Sequence, residues 1–220
     1  MGAPWRVLQL ADSAFPTGGF AHSGGLEAAV QQGEVRGRAS VERFVRELLW
    51  QAGHGALPLL GAAHREPVAL PALDARAESF LTSHVANRAS RTQGRAFLDT
   101  CARIFPEPVA PLREAARAAG VRFHHAPLFG AVLRTLEVGL PEAQQLFLSL
   151  TLRGALSAAV RLNVLGIHES HQVQHQSAPL LDAVLEACAG LGLEGLAQTA
   201  PLLDLLGSTH DRLYSRLFLS

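Results

Sequence analysis

Residues 141–164 read Pro141-Glu142-Ala143-Gln144-Gln145-Leu146-Phe147-Leu148-Ser149-Leu150-Thr151-Leu152-Arg153-Gly154-Ala155-Leu156-Ser157-Ala158-Ala159-Val160-Arg161-Leu162-Asn163-Val164, and this stretch decides the architecture. Apolar residues lie nearly all round a helix drawn through Leu146, Leu150, Leu156 and Val160, which predicts a central helix buried on several sides. Pro141 suits its first turn, because an early proline removes only an N–H that has no partner there. Working outward, the helical period continues almost everywhere. Ser40 can cap a helix in which Val41, Phe44, Val45, Leu48 and Leu49 share a face. Ala77, Phe80, Leu81, His84 and Val85 repeat that stripe. A further helix is predicted from Ala89 to Ile104, ahead of Pro106. Pro111 fits the first turn of one that ends at Gly120. Another runs from about Ser170 to Cys188, with Gly190 as its stop. β-Branched residues are few, and no alternating run is bounded by hairpin turns. The expectation is an all-α fold: one domain over residues 1–220, a bundle of about ten helices without significant sheet, with Pro67–Pro71 its only loop of length.

Composition narrows the function. With 220 residues, 48% hydrophobic and 17% charged, the chain can bury a substantial core. Lys+Arg and Asp+Glu both total 19, so net charge implies neither nucleic acid nor an anionic membrane surface. All 19 cations are Arg. Without Lys, a Walker-type phosphate loop and Schiff-base catalysis are both excluded as activities of this chain alone. The charge is unevenly spread, with eight Arg against four acids from Arg76 to Arg122, and two Arg against six acids from Leu162 to Ser220. Cys101 and Cys188 form no Cys-x-x-Cys pair, so no disulfide is expected. The start, Met1-Gly2-Ala3-Pro4-Trp5-Arg6, has neither a secretory pattern nor Ser or Thr at position six for myristoylation. No charge-free apolar run reaches the ~18 residues of a membrane span. A soluble, cytoplasmic protein is expected.

Both ends carry unusual segments. The tail, His210-Asp211-Arg212-Leu213-Tyr214-Ser215-Arg216-Leu217-Phe218-Leu219-Ser220, sets Tyr and Arg among apolar residues, a composition enriched where proteins bury surface in one another. The alternative is a last helix that docks on its own core. Near the other end, Pro16-Thr17-Gly18-Gly19-Phe20-Ala21-His22-Ser23-Gly24-Gly25-Leu26-Glu27 holds four glycines and a proline, which implies unusual backbone angles or a very close neighbour. Ser23 and Glu27 are its polar fixtures, either for a contact or as caps of their own helix. His22-Ser23-Gly24-Gly25 is like a nucleophile elbow, but that device needs a strand-to-helix turn beside a sheet. His168, His171 and His175 fall on one helical face at metal-ligand spacing. A His-cluster metal-binding protein or metal-dependent enzyme is therefore the rival reading, set against a plain solvated face.

Taken together, these residues resemble the urease accessory protein F (UreF) family. Ser13 to Glu27 resembles the family's Gly-rich signature, and Arg91-Thr92-Gln93-Gly94-Arg95-Ala96-Phe97-Leu98 its mid-chain Gly-Arg helix. His125-Ala126-Pro127-Leu128-Phe129-Gly130 and Ala158-Ala159-Val160-Arg161-Leu162 with Leu165-Gly166 are similar to later family segments. Tyr214-Ser215-Arg216-Leu217-Phe218 with Ser220 resembles its characteristic end. Leu219 and Asp211 depart from it, standing where relatives carry Arg and Glu. The resemblance implies a non-enzymatic, all-α chaperone-like scaffold without a cofactor of its own. It implies a two-fold dimer that binds the accessory protein UreD (UreH), recruits the GTPase UreG and apo-urease, and promotes nickel insertion. Two partner-contact regions follow from it, residues 13–27 and 207–220. Their expected contact residues are Pro16, Gly18, Ser23, Gly25 and Glu27 in the first, and His210, Arg212, Tyr214, Ser215, Arg216, Leu217 and Phe218 in the second.

Overall fold

Prolines start much of this fold. Pro58, Pro71, Pro106, Pro141, Pro179 and Pro201 each stand in the first turn of a helix, where the missing N–H leaves no bond unmade. The computed structural model describes residues 3–220; Met1 and Gly2, read above for a leader and a lipid site, lie outside the described residues. The chain forms α1 (Ala3–Ala11), α2 (Leu26–Gln31), α3 (Arg38–Gly55) and α4 (Leu57–Arg65). It continues through α5 (Leu70–Phe80), α6 (His84–Ile104), α7 (Pro106–Ala118) and α8 (His125–Thr135). The last third holds α9 (Leu140–Arg161), α10 (Ile167–Gln176), α11 (Ala178–Cys188) and α12 (Pro201–Ser208). Among the described residues there is no strand, so the molecule is all-α. No helix among them is long and apolar enough to cross a membrane.

The segment quoted first is the centre. α9 buries Leu146, Phe147, Leu148, Leu152 and Leu156, and is flanked by α1, α2, α3, α4, α8, α10 and α11. Two glycines let helices approach more closely than side chains would allow. A Cβ on Gly130 of α8 would lie 2.1 Å from the Leu60 carbonyl oxygen of α4. One on Gly94 of α6 would lie 2.0 Å from that of Phe123. Around these contacts Phe97 stacks on Phe129 at 5.0 Å, and Phe129 meets Phe147 edge-on at 5.3 Å.

Several boundaries depart from the sequence reading. Ser40 is not the cap of α3. It stands in the first turn, and its Oγ reaches back to accept the N–H groups of Arg36 and Gly37 at 3.0 and 3.1 Å. The stripe from Ala77 to Val85 is cut at Leu81, where Ser83 caps α6 by accepting the Ala86 N–H. Pro106 rather than Pro111 opens α7, and Pro111 sits inside it. Residues 170–188 hold two helices, because Ser177 and Pro179 restart the chain as α11. Pro67–Pro71 is no loop: a single 3-10 turn, Pro67–Ala69, passes directly into α5.

Candidate functional site

The two unusual segments meet. Gly18, Gly24 and Gly25 have φ of 77°, 64° and 90°, left-handed angles that glycine adopts without a Cβ clash. They fold residues 18–25 into a tight loop that feeds α2. Gly25 has a second reason to lack a side chain, since its Cβ would fall 3.2 Å from Gly207 Cα where α12 crosses. After α12 the chain makes a 3-10 turn, His210–Arg212, and the tail then doubles back over α2.

Glu27 holds that tail. Its Oε1 accepts the Leu217 N–H at 2.6 Å and its Oε2 the Phe218 N–H at 3.1 Å. His210 Nε2 lies 2.9 Å from the same Oε2. The carboxylate is only 2% exposed, so these donors replace the water it has lost. Further along, Leu219 donates to the Ala21 carbonyl at 2.8 Å. The Ser220 carbonyl accepts both the Ser23 N–H and the Ser23 hydroxyl, at 2.6 and 2.9 Å. Ser220 Oγ stands 2.6 Å from His22 Nδ1, and Gln31 Nε2 donates to the Ser215 carbonyl at 2.8 Å. Ser23 also caps, since its Oγ accepts the Glu27 N–H at 3.3 Å. Glu27 itself secures the tail.

Arg161, on α9, completes the clasp. Its guanidinium lies 4.0 Å from the Phe20 ring centroid and 4.1 Å from that of Phe218, and it donates to the Phe20 carbonyl at 2.6 Å. Arg161 thereby ties loop, tail and central helix together. Beside it opens a cleft of about 460 Å³ lined by His22, Arg88, Thr92, Asp211, Arg216 and Leu219. Asp211 receives Arg88 through two bonds, at 2.7 and 3.0 Å, and has His84 at 3.1 Å. The hydrogen bonds from Arg88 hold its carboxyl down to about 2. Burial, and then the nearby Arg88 and His210, push His22 below the usual imidazole value.

Of the expected contact residues, Ser23, Gly25, Glu27, His210 and Phe218 are buried within the clasp. Pro16, Arg212, Tyr214, Ser215, Arg216 and Leu217 are exposed, and Gly18 is half-buried against Ala96. Tyr214 is fully exposed, and Leu217, Leu219 and Phe20 are exposed as well. The tail is no terminal helix; it docks as a strap on its own core and still shows an apolar, arginine-bearing outer side. Arg161, Arg88 and His84 had no assigned place in the sequence reading of this site. Only the helical register that puts His84, Arg88, Arg91 and Arg95 on one face of α6 signals part of it.

The other candidates are placed elsewhere. His168, His171 and His175 are exposed along α10. Among the described residues, no three or more His, Cys, Asp or Glu side chains are grouped to hold a metal ion. Ser23 is not on an elbow beside a sheet; its hydroxyl donates to the Ser220 carbonyl. His124, the residue before α8, is fixed by Glu78 at 2.8 Å and Ser90 at 3.2 Å.

Comparison with known proteins points one way. The family model described as UreF matches residues 35–178, well over half of the chain. A urease accessory protein F of Arabidopsis thaliana is 38% identical over 221 residues, covering 98% of this chain and 92% of that protein. One from Oryza sativa subsp. indica is 37% identical over 219 residues, covering 97% and 84%. The urease accessory protein UreF of Mycobacterium tuberculosis is 33% identical over 215 residues, covering 97% of each.

Proposed function

The chain belongs to the UreF family of urease accessory proteins, and from that premise we propose that it serves as a scaffold in urease maturation rather than as an enzyme. In this reading it pairs as a homodimer in the cytoplasm and binds a UreD (UreH)-like protein through the clasp. The complex then engages a UreG-like GTPase and apo-urease, so that nickel, the cargo, is inserted and GTP hydrolysis is coupled to delivery.

What supports the reading is the outer side of the clasp. Tyr214, Arg216, Leu217 and Leu219 are exposed on a tail whose backbone is already fixed by Glu27 and Ser23, and Phe20 is exposed on the loop that the tail crosses. A prefixed backbone lowers the ordering cost of association, and exposed Tyr and Arg on it are the residue types that anchor interfaces. The buried half positions; the exposed half binds.

The test is reconstitution. Purified chain is mixed with apo-urease, the UreD-like protein, the UreG-like GTPase, GTP and nickel, and urease activity is followed. Activity should rise only when this chain is present. Equal activation without it would contradict the proposal.

A further inference from the structure

The clasp leaves one charged surface without a role. On α6, Arg88, Arg91 and Arg95 recur at i, i+3 and i+7, so they line one face over about 10 Å of helix. Arg122, from the turn before α8, joins them. Together with Thr92 and Asp99 they border an open cleft of about 680 Å³ that shares Arg88 and Thr92 with the cleft beside the tail.

The cations are unequally committed. Arg88 pairs with Asp211 and Arg122 with Glu78, while the one carboxylate of the cleft, Asp99, pairs with Arg117 at 3.0 Å. Among the described residues, Arg91 and Arg95 have no ion-pair partner. The Arg95 guanidinium lies over the Phe123 ring, 4.7 Å from its centroid, which holds it at the cleft.

We infer that this cleft docks an acidic helical segment of a partner protein, whose carboxylates recur with the same helical spacing and meet Arg91 and Arg95 directly. The chemistry of the walls selects that occupant. Guanidinium forks bind carboxylates in a bidentate way, and a helix laid along α6 repeats its charges at a matching period. A continuous phosphate backbone would run against Asp99, Asp211 and Glu78 at the margins, whereas separate carboxylates fit between them. A small anion would want a buried donor, and these arginine heads are all on an open face. The inference does not depend on what the tail binds.

The experiment uses two fluorescein-labelled peptides of equal composition and helicity. One carries Glu at i, i+3 and i+7 on one face; the other distributes the same Glu around the helix. Fluorescence anisotropy is measured with the full chain, with R91E/R95E, and with R43E/R46E, a pair on α3 that makes the same charge change at exposed positions away from the cleft. The striped peptide should bind the parent at least about fivefold tighter than the scrambled one, and weaken with salt. R91E/R95E should lose at least about tenfold, with an unchanged circular dichroism spectrum, and R43E/R46E should bind like the parent. Equal binding of the two peptides, equal loss in both double variants, or tighter binding of a single-stranded oligonucleotide of the same charge would overturn the inference.

Discussion

Glu27 accepts the backbone N–H of Phe218 at 3.1 Å, a bond that joins residues 191 positions apart and closes one end of the chain onto the other. The same carboxylate takes the Leu217 N–H and faces His210, so one buried acid sets the path of the entire tail. A charged acceptor is the right group for this work. Its bonds to N–H donors are stronger than those of a neutral carbonyl, and without it the Phe218 N–H would be left buried and unpaired.

Glu27→Ala should therefore lower stability by about 3 kcal/mol, as expected when one partner of a buried pair is removed. Urea denaturation checks the size and hydrogen exchange checks the place. Exchange at Leu217 and Phe218 should accelerate by about two orders of magnitude, while α8 and α9 keep their protection. Unchanged exchange in the tail would show that Glu27 only stabilises α2.

Close helix approach makes a second prediction. Gly94→Ala and Gly130→Ala each drive a Cβ into a carbonyl oxygen and should destabilise by about 3 kcal/mol or prevent folding. Gly154→Ala, in α9 with nothing within 4 Å of its Cβ, should gain up to about 1 kcal/mol. Thermal melts of the three variants check the contrast.

The legible and illegible parts of this fold divide on physical lines. Helical period showed the all-α class, and the apolar surround of Leu146, Leu150 and Leu156 showed the central helix. Breaks were harder. Apolar residues continue on either side of Ser83 and Ser177, and pattern alone registers neither the cap that Ser83 makes through one side-chain bond nor the restart at Ser177 and Pro179. The family resemblance runs along nearly the whole chain, and its two terminal motifs, the most specific parts, are each legible as unusual. Their union was not. Glu27 and Phe218 have no local signal for each other, because a contact across 191 positions is set by how α2, α9 and α12 pack. Arg161 was hidden for a related reason: within a helix read as buried, nothing marked it as the cation between Phe20 and Phe218.

Acid should weaken the molecule through one desolvated imidazole. His125 packs against Phe97, Phe129 and Phe147, and the loss of water around its ring pushes it from the ordinary 6.5 to about 4. Above pH 6.5 neither folded nor unfolded chains protonate there. Between 6.5 and about 4 the unfolded chain takes up a proton that the folded one does not, so stability falls as pH falls. Urea midpoints between pH 7 and 4 should show this decline, and His125→Phe should reduce its slope. An identical slope in the variant would contradict the assignment.

Asp211 titrates lower and with the opposite cause. Arg88 holds its carboxyl at about 2, so the pair contributes above the ordinary carboxylate value and loses that contribution as pH falls toward 2. In Arg88→Ala the carboxyl should return toward 3.8, read directly by carbon NMR of the side chain. Because the pair is partly exposed, the melting temperature at neutral pH should change little.

In the proposed function the clasp holds its buried half in place so that its exposed half can bind. The direct measurement is the affinity of the purified chain for the UreD-like protein, beside the melting temperature of each variant. Tyr214→Ala and Arg216→Ala should each weaken binding by more than about tenfold without moving the melting temperature, and removal of residues from Leu213 onward should abolish binding. A truncated chain that binds the partner as tightly as the parent would contradict the account.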